Sequence, residues 1–503
     1  MRRRDFLGLS GVALTAAAWP LADRDWCALA QGTQRPRLSM PPLLDTRKTG
    51  KLSLVAQTGQ TSFAGGPPNL TAGYNSGFMG PTIVMQNGAL DARVENRLNE
   101  PVTSHWHGLL VPGHHDGGPH TPVEPGKAWA DMMQLDQQPT TAWYHSHTHG
   151  ATARHVYAGL AGVIHHTDGR DDDRGLPSTY GVDDLTLVIQ DKRFDDAGKL
   201  VYTPDTTDIL NGFHGERILV NGQFNSVAVV PRGIVRLRLL NGSNARIYSL
   251  HMSDRRPMYV IGNDGGFLGK PVELTFLRIA PGERFEVLVD FGQGAPPLLM
   301  NSSGISMKIL EFATDDALKP RITRVPDTLG SGLAPLPEGN FPVRRISLTM
   351  GGGSSFELRN VSQLASGHGG HGGHTGHGPV LGAGPNGELG VVMTDFGINS
   401  RPYDVRRIDF QVKRGTHERW LVSGGGGVIH PFHVHGVHFR IVTTGGGAPQ
   451  PEESGWKDTH PINGQLEIIV RFDHEAPREA PYMYHCHILE HEDSGMMGQF
   501  TVT

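Results

Sequence analysis

A strand-and-turn pattern recurs three times along this 503-residue chain. The segments Gly88–Asn96, Gly233–Asn241 and Gly415–Ser423 each open on glycine and run into alternating apolar and polar positions. A second set follows: Pro125-Gly126, Pro281-Gly282 ahead of Glu283–Phe291, and Gly464 ahead of Gln465–Phe472. Repeats this far apart indicate duplicated domains, since solenoid units recur every 20 to 50 residues or so. Alternation such as that of Glu286–Phe291 and Leu466–Phe472 fits half-buried strands of a sandwich. With 67 Gly and 35 Pro, short strands joined by turns are favoured over long helices. The expectation is an all-β chain of three consecutive β-sandwich domains at 40–180, 181–340 and 341–503, with linkers at Asp168–Gly181 and Leu336–Pro342.

The segment Tyr484–Gly498 adds chemistry to that frame. It holds a thiol (Cys486), three imidazoles (His485, His487, His491) and a thioether (Met496). Cys and two His around a weak, distant Met is the blue-copper arrangement. On a strand, His485 and His487 share one face and Cys486 takes the other, so one short peptide can join two metal sites. Three more His-x-His triplets stand at His105/His107, His145/His147 and His433/His435. The middle domain has none, so a cluster built from these pairs belongs between the first and third domains. Trp143–His147 parallels Met483–His487, with Ser146 in place of Cys486 and Leu160 in place of Met496. The first domain thus lacks both soft ligands, and a single blue-copper centre is expected, in the third.

Residues 1–30 read as an export leader: Arg2-Arg3-Arg4-Asp5-Phe6-Leu7, a weakly apolar run through Ala18, and Ala28-Leu29-Ala30 as a small-residue cleavage site. The Arg-Arg-x-Phe-Leu core resembles a twin-arginine signal, which implies a periplasmic or otherwise exported product. Cys27 is expected to leave with the leader, so Cys486 would have no disulfide partner. No later segment is long and apolar enough to span a bilayer, and with a formal charge of −5 nothing resembles a nucleic-acid or membrane-surface binder. A soluble monomer is expected.

The elements His105-Trp106-His107-Gly108, Trp143–Gly150, His430–Gly436 and His485–Met497 resemble the four copper signatures of the multicopper oxidases, in that family's order. The likeness covers essentially the whole chain after the leader and implies three cupredoxin-like Greek-key domains. Within the family, the bacterial periplasmic copper-efflux (cuprous) oxidases and bacterial laccases are the most similar. The resemblance implies four copper ions. Type 1 copper would be held by His430, Cys486 and His491 with Met496 axial, and type 2 by His105 and His433. The type 3 pair would take His107, His145 and His487 on one ion, and His147, His435 and His485 on the other. A reductant, either a phenolic or small organic donor or Cu(I), would be oxidised at type 1, and dioxygen reduced to water at the three-copper cluster. Asp116 and Glu492 stand where the family has its acidic proton donors; as plain sequence they also read as solvated loop acids. His149, His155, His165 and His166 match no ligand position and read as surface or hydrogen-bonding residues, and Met132, Met133 and Met300 as core filler.

The chain departs from the cuprous oxidases in one stretch. Where they carry a Met-rich segment, residues 366–378 hold His368, His371, His374 and His377 among glycines, either a weak metal-binding loop or a plain linker. Of the family's substrate-copper ligands, Met350 and Asp493 match. Gly426 and Gly351–Ser355 stand where acids are expected, which moves weight towards laccase-like oxidation. Two other readings compete: non-enzymatic copper sequestration, and a copper-free structural or cell-division protein of the same fold, against which the complete ligand set argues.

Overall fold

Each of the three repeated segments becomes the central strand of the same three-strand unit. Gly88–Asn96 pairs in parallel with Lys51–Ser62 and antiparallel with Ala128–Leu135. Ile234–Asn241 pairs in parallel with Asp184–Phe194 and antiparallel with Arg284–Asp290. His417–Gly424 pairs in parallel with Val343–Met350 and antiparallel with Gln465–Arg471. The repeat seen in the sequence is therefore a repeat of strand register, and the glycine that opens each segment is the turn feeding it. These relations come from a computed structural model that describes residues 35–304, 306–330, 333–350, 358–360, 391–393, 396–425 and 427–503. The leader with Cys27, the 366–378 insertion with His368, His371, His374 and His377, Gly351–Ser355 and Gly426 lie outside the described residues. All of these strands belong to the unit Pro36–Thr503.

The chain is all-β, three consecutive cupredoxin-like sandwiches. The first packs a four-stranded sheet on another four-stranded sheet, the second an eight-stranded on a five-stranded, and the third two five-stranded sheets. Each sandwich closes over its own apolar core, around Leu54, Val94 and Tyr144 in the first, Leu237, Val287 and Leu299 in the second, and Trp420, Phe432 and Phe500 in the third. Among the described residues no helix is long and apolar enough to cross a membrane.

The half-buried expectation fails for Glu286–Phe291. Glu286 to Val289 are buried on both faces, as is all of Ile234–Asn241. The outward face is polar but covered: Arg236 and Arg238 meet Glu286, Arg238 also meets Asp184 at 2.7 Å, and Thr141 of the first domain donates to Glu286 Oε1 at 2.6 Å. Alternation there records a face whose charges pair with one another inside the middle domain and which meets the first domain through Thr141.

Candidate metal centre

The ligand strands come together because the first and third sandwiches use the same local pairing. His433 lies opposite His485 in the antiparallel pair His430–Val434 with Tyr482–Cys486, and His105 lies opposite His145 in an isolated bridge. In each domain one His-x-His pair is thus set beside the other. The two domains face each other, so all eight imidazoles meet in one buried space; none of the eight is more than 1% exposed.

Their hydrogen bonds fix which nitrogen is free. The Nδ1 of His105 donates to the carbonyl of Asp116, that of His433 to the carbonyl of Asp458, that of His145 to the carbonyl of Ser146 and that of His485 to the carbonyl of Cys486, each at 2.9 Å. The Nδ1 of His435 donates to Asp116 Oδ2 at 2.7 Å. In a neutral ring so bonded, Nε2 is left as a bare lone pair. Burial, with the neighbouring imidazoles, holds His145, His433, His435 and His485 well below the usual histidine range, so they are neutral. Yet His435 Nε2 sits 3.2 Å from His485 Nε2 with no proton to share, and His105 Nε2 lies 3.4 Å from His433 Nε2. Lone pair facing lone pair at that distance is repulsive, and a cation between them satisfies both. His107 Nδ1, His145 Nε2, His147 Nδ1 and both nitrogens of His487 are buried without partners, which fits the same need.

The structure brings together the residue sets expected for copper. His147, His435 and His485 have ligand atoms within 4.8 Å of one another, as do His105, His433 and His435. The rings of His107, His145 and His487 are 5.2 to 5.8 Å apart. On the other face of the Cys486 strand, Sγ is 3.4 Å from His430 Nδ1 and 3.6 Å from His491 Nδ1, and the two nitrogens are 3.3 Å apart. Here the imidazoles are turned round: His430 Nε2 donates to the carbonyl of Gly425 at 2.9 Å and His491 Nε2 to that of Leu210 at 3.3 Å, so both Nδ1 lone pairs face the sulfur. Met496 is fully buried in the same apolar cluster. Burial raises the Cys486 thiol, so without a cation it stays protonated. Cys with two His around an enclosed point, beside a buried Met, is a donor set suited to copper.

Asp116 and Glu492 are not solvated loop acids; both are 1% exposed. Asp116 accepts from His435, and its Oδ1 has no partner. Glu492 lies 3.5 Å from His147 Nε2 and 3.2 Å from His485 Nδ1, and burial, with Asp493 beside it, raises its carboxyl well above the usual range. Asp493 is otherwise engaged. Its two oxygens accept from the N–H groups of Thr152 and Ala153 at 3.1 and 2.9 Å, at the start of the helix Thr152–Ala158. Met350 packs against the third core.

Sequence reasoning read His155 only as a surface or hydrogen-bonding residue. It is fully buried, and its Nδ1 is 2.8 Å from Ser146 Oγ. Leu160 N donates to His155 O as Met496 N donates to His491 O, and Ser146 N donates to Leu160 O as Cys486 N donates to Met496 O. His155 is therefore the first-domain counterpart of His491. Each precedes the Leu160 or Met496 position by five residues, a signal masked because the connection from Ser146 to the helix, residues 147–151, is longer than that from Cys486, residues 487–488. His165 and His166 are buried too, and Met132 is 56% exposed rather than core.

With this geometry in view, the comparisons with known proteins give the class. Multicopper oxidase models match residues 55–169, 179–301 and 384–503. The cell division protein FtsP of Dickeya dadantii is 37% identical over 99% of this chain and 98% of its own. This chain belongs to the multicopper oxidase family. Among solved structures, a laccase-like multicopper oxidase, CueO, from Ochrobactrum sp., described as having oxidase activity towards lignin model compounds and lignosulfonate, is 39% identical, with a TM-score of 0.81 over 93% of this chain and 100% of that one. A laccase from Pediococcus acidilactici is 32% identical, with a TM-score of 0.78 over 94% of each chain.

Proposed function

We propose that this chain is an exported, copper-dependent oxidase that takes single electrons from a small reductant and reduces dioxygen to water. The observation that carries the reading is a pair of neutral imidazole lone pairs, His435 Nε2 and His485 Nε2, facing each other at 3.2 Å in a buried space. Copper held by His430, Cys486, His491 and Met496, and by the eight cluster histidines in the type 2 and type 3 sets that the resemblance implies, would supply the one-electron chemistry and the four-electron reduction of dioxygen. The chain's own residues do the rest. Cys486 is bonded through the backbone to both His485 and His487, the shortest covalent link between the two sites. Burial of the cluster keeps water away from the reacting oxygen. Burial favours the protonated form of Glu492, and Asp116 anchors His435; both stand where protons are required.

A phenolic or small organic donor is favoured over Cu(I). Asp493 is engaged by backbone N–H groups, and the Ochrobactrum relative acts on lignin model compounds. Copper content, with dioxygen uptake on a phenol and on Cu(I), tests the reading. Four coppers with uptake on the phenol supports it, uptake on Cu(I) alone moves the substrate, and copper without uptake leaves sequestration. Absence of copper sinks all three.

The full-length likeness to cell division protein FtsP favours a second reading, a role in division for the same fold. Cell length in a strain lacking the gene, restored equally by the wild type and by Cys486→Ser, would establish that role as independent of redox chemistry.

A further inference from the structure

The middle domain supplies no cluster imidazole, yet one of its side chains reaches the cluster. Arg284 is fully buried and uses all five of its N–H donors. Nε donates to the carbonyl of Thr141 at 3.0 Å. Nη1 donates to the carbonyl of Gly282 at 2.9 Å and to Asp458 Oδ1 at 2.7 Å, and Nη2 to the carbonyl of Asp264 at 3.0 Å and to Asp458 Oδ2 at 2.5 Å. Thr141 belongs to the first domain and Asp458 to the third, so the guanidinium is keyed to all three. Asp458 Oδ1 also accepts from His107 Nε2 at 3.0 Å and from Thr459 Oγ1 at 2.8 Å, and its carbonyl accepts from His433 Nδ1.

A guanidinium only donates and a carboxylate only accepts, so His107 must carry its proton on Nε2. Its Nδ1 is the buried, unpartnered atom. His107 is thus turned opposite to His105, His145, His433, His435 and His485, whose Nδ1 atoms carry the proton. The residue after it is held to the same geometry: a Cβ on Gly108 would stand 2.6 Å from Arg284 Nη2 and 3.1 Å from Asp458 Oδ2, at a φ of +94°.

We propose that Arg284 is a positioning residue of the metal cluster, which by holding Asp458 against His107 fixes the Nε2–H tautomer and presents Nδ1 to the metal. The middle domain then serves the metal site without supplying a ligand. The role in metal binding rests on the copper reading; the tautomer does not.

The test uses 15N-histidine-labelled, full-length, copper-free protein, with His107→Gln to assign the resonance. His107 protonated on Nε2 is the expected result, and protonation on Nδ1 overturns the proposal. In Arg284→Lys, which keeps the charge but cannot form the fork, His107 should become a mixture of tautomers. The cluster should then bind copper roughly 10- to 100-fold more weakly while the blue absorption of the Cys486 site remains. A merely structural role would lower the melting temperature and leave tautomer and cluster occupancy as in the wild type, and that result also overturns it. Should Arg284→Lys not fold, the wild-type tautomer still decides. Wild type that takes up no copper would overturn the copper reading, while the metal-free tautomer continues to test Arg284.

Discussion

At the scale of single residues, the site sets opposite demands on Cys486 and on the acids around it. Only Cys486 offers a thiolate, and the cluster histidines lie on the other strand face. Cys486→Ser should therefore abolish the intense blue absorption and turnover while keeping the cluster coppers, at a cost of about 1–3 kcal/mol for an imperfectly paired buried hydroxyl. A variant that stays blue would sink the type 1 assignment. Glu492→Gln and Asp116→Asn keep shape but cannot release an acidic proton. Each should slow reoxidation by dioxygen by about 10²-fold and change reduction by donor little. Stopped-flow traces with both half-reactions unchanged would remove these residues from proton delivery. Glu490 gives a pH test. It accepts from Tyr202 Oη, Asn244 Nδ2 and Phe213 N, and burial raises it to about 7. A carboxyl raised in the folded state stabilises fully below its ordinary value of 4.5, and that contribution is lost as pH climbs through about 7. In urea melts of copper-free protein, the stability of Glu490→Gln relative to wild type should improve by roughly 1–3 kcal/mol between pH 5 and pH 8. A difference independent of pH would show that Glu490 is ionised throughout.

At the scale of elements, Thr140–Leu160 and Tyr482–Met496 are one design used twice. In the third domain the strand-to-helix corner aims Cys486 and His491 at a common point; in the first, Ser146 and His155 close that point with a hydrogen bond of 2.8 Å. Ser146→Ala should strand His155 Nδ1 in the interior and destabilise by about 1–3 kcal/mol, with copper content unchanged. Loss of copper would mean that the first-domain corner holds its neighbouring ligands in place. The His-x-His pairs and the strand repeats were legible because both are local: side-chain alternation sets which residues share a face, whatever the rest of the chain does. His155 was not, since a longer connection between Ser146 and the helix shifts its register against His491. Neither was the pairing of Arg284 with Asp458, because nothing in a linear pattern says which of many charges meet across a domain boundary. Asp493 matches a motif, but no linear pattern shows that its oxygens also accept from a helix start in the first domain.

At the scale of the whole molecule, the two metal sites relate to the domains differently. The residues proposed to hold the type 1 copper all come from the third domain, whereas the proposed cluster would draw on His105, His107, His145 and His147 from the first and His433, His435, His485 and His487 from the third. Copper bound in such a cluster would tie two sandwiches together, and its binding energy would become stability of their interface. At a copper activity about 1,000 times the dissociation constant, a bound ion adds roughly 4 kcal/mol to the folded state. Removing copper with a chelator should lower the melting temperature by several degrees and let the first and third domains unfold in separate steps. Cys486→Ser, loaded with copper, should keep most of that gain because its cluster is intact. His435→Ala, which removes a ligand that also bonds Asp116, should behave like the copper-free protein. Calorimetry showing equal loss in both variants would mean that the metal adds nothing to the interface, which is then held by protein contacts such as those of Arg284 with Thr141 and Asp458.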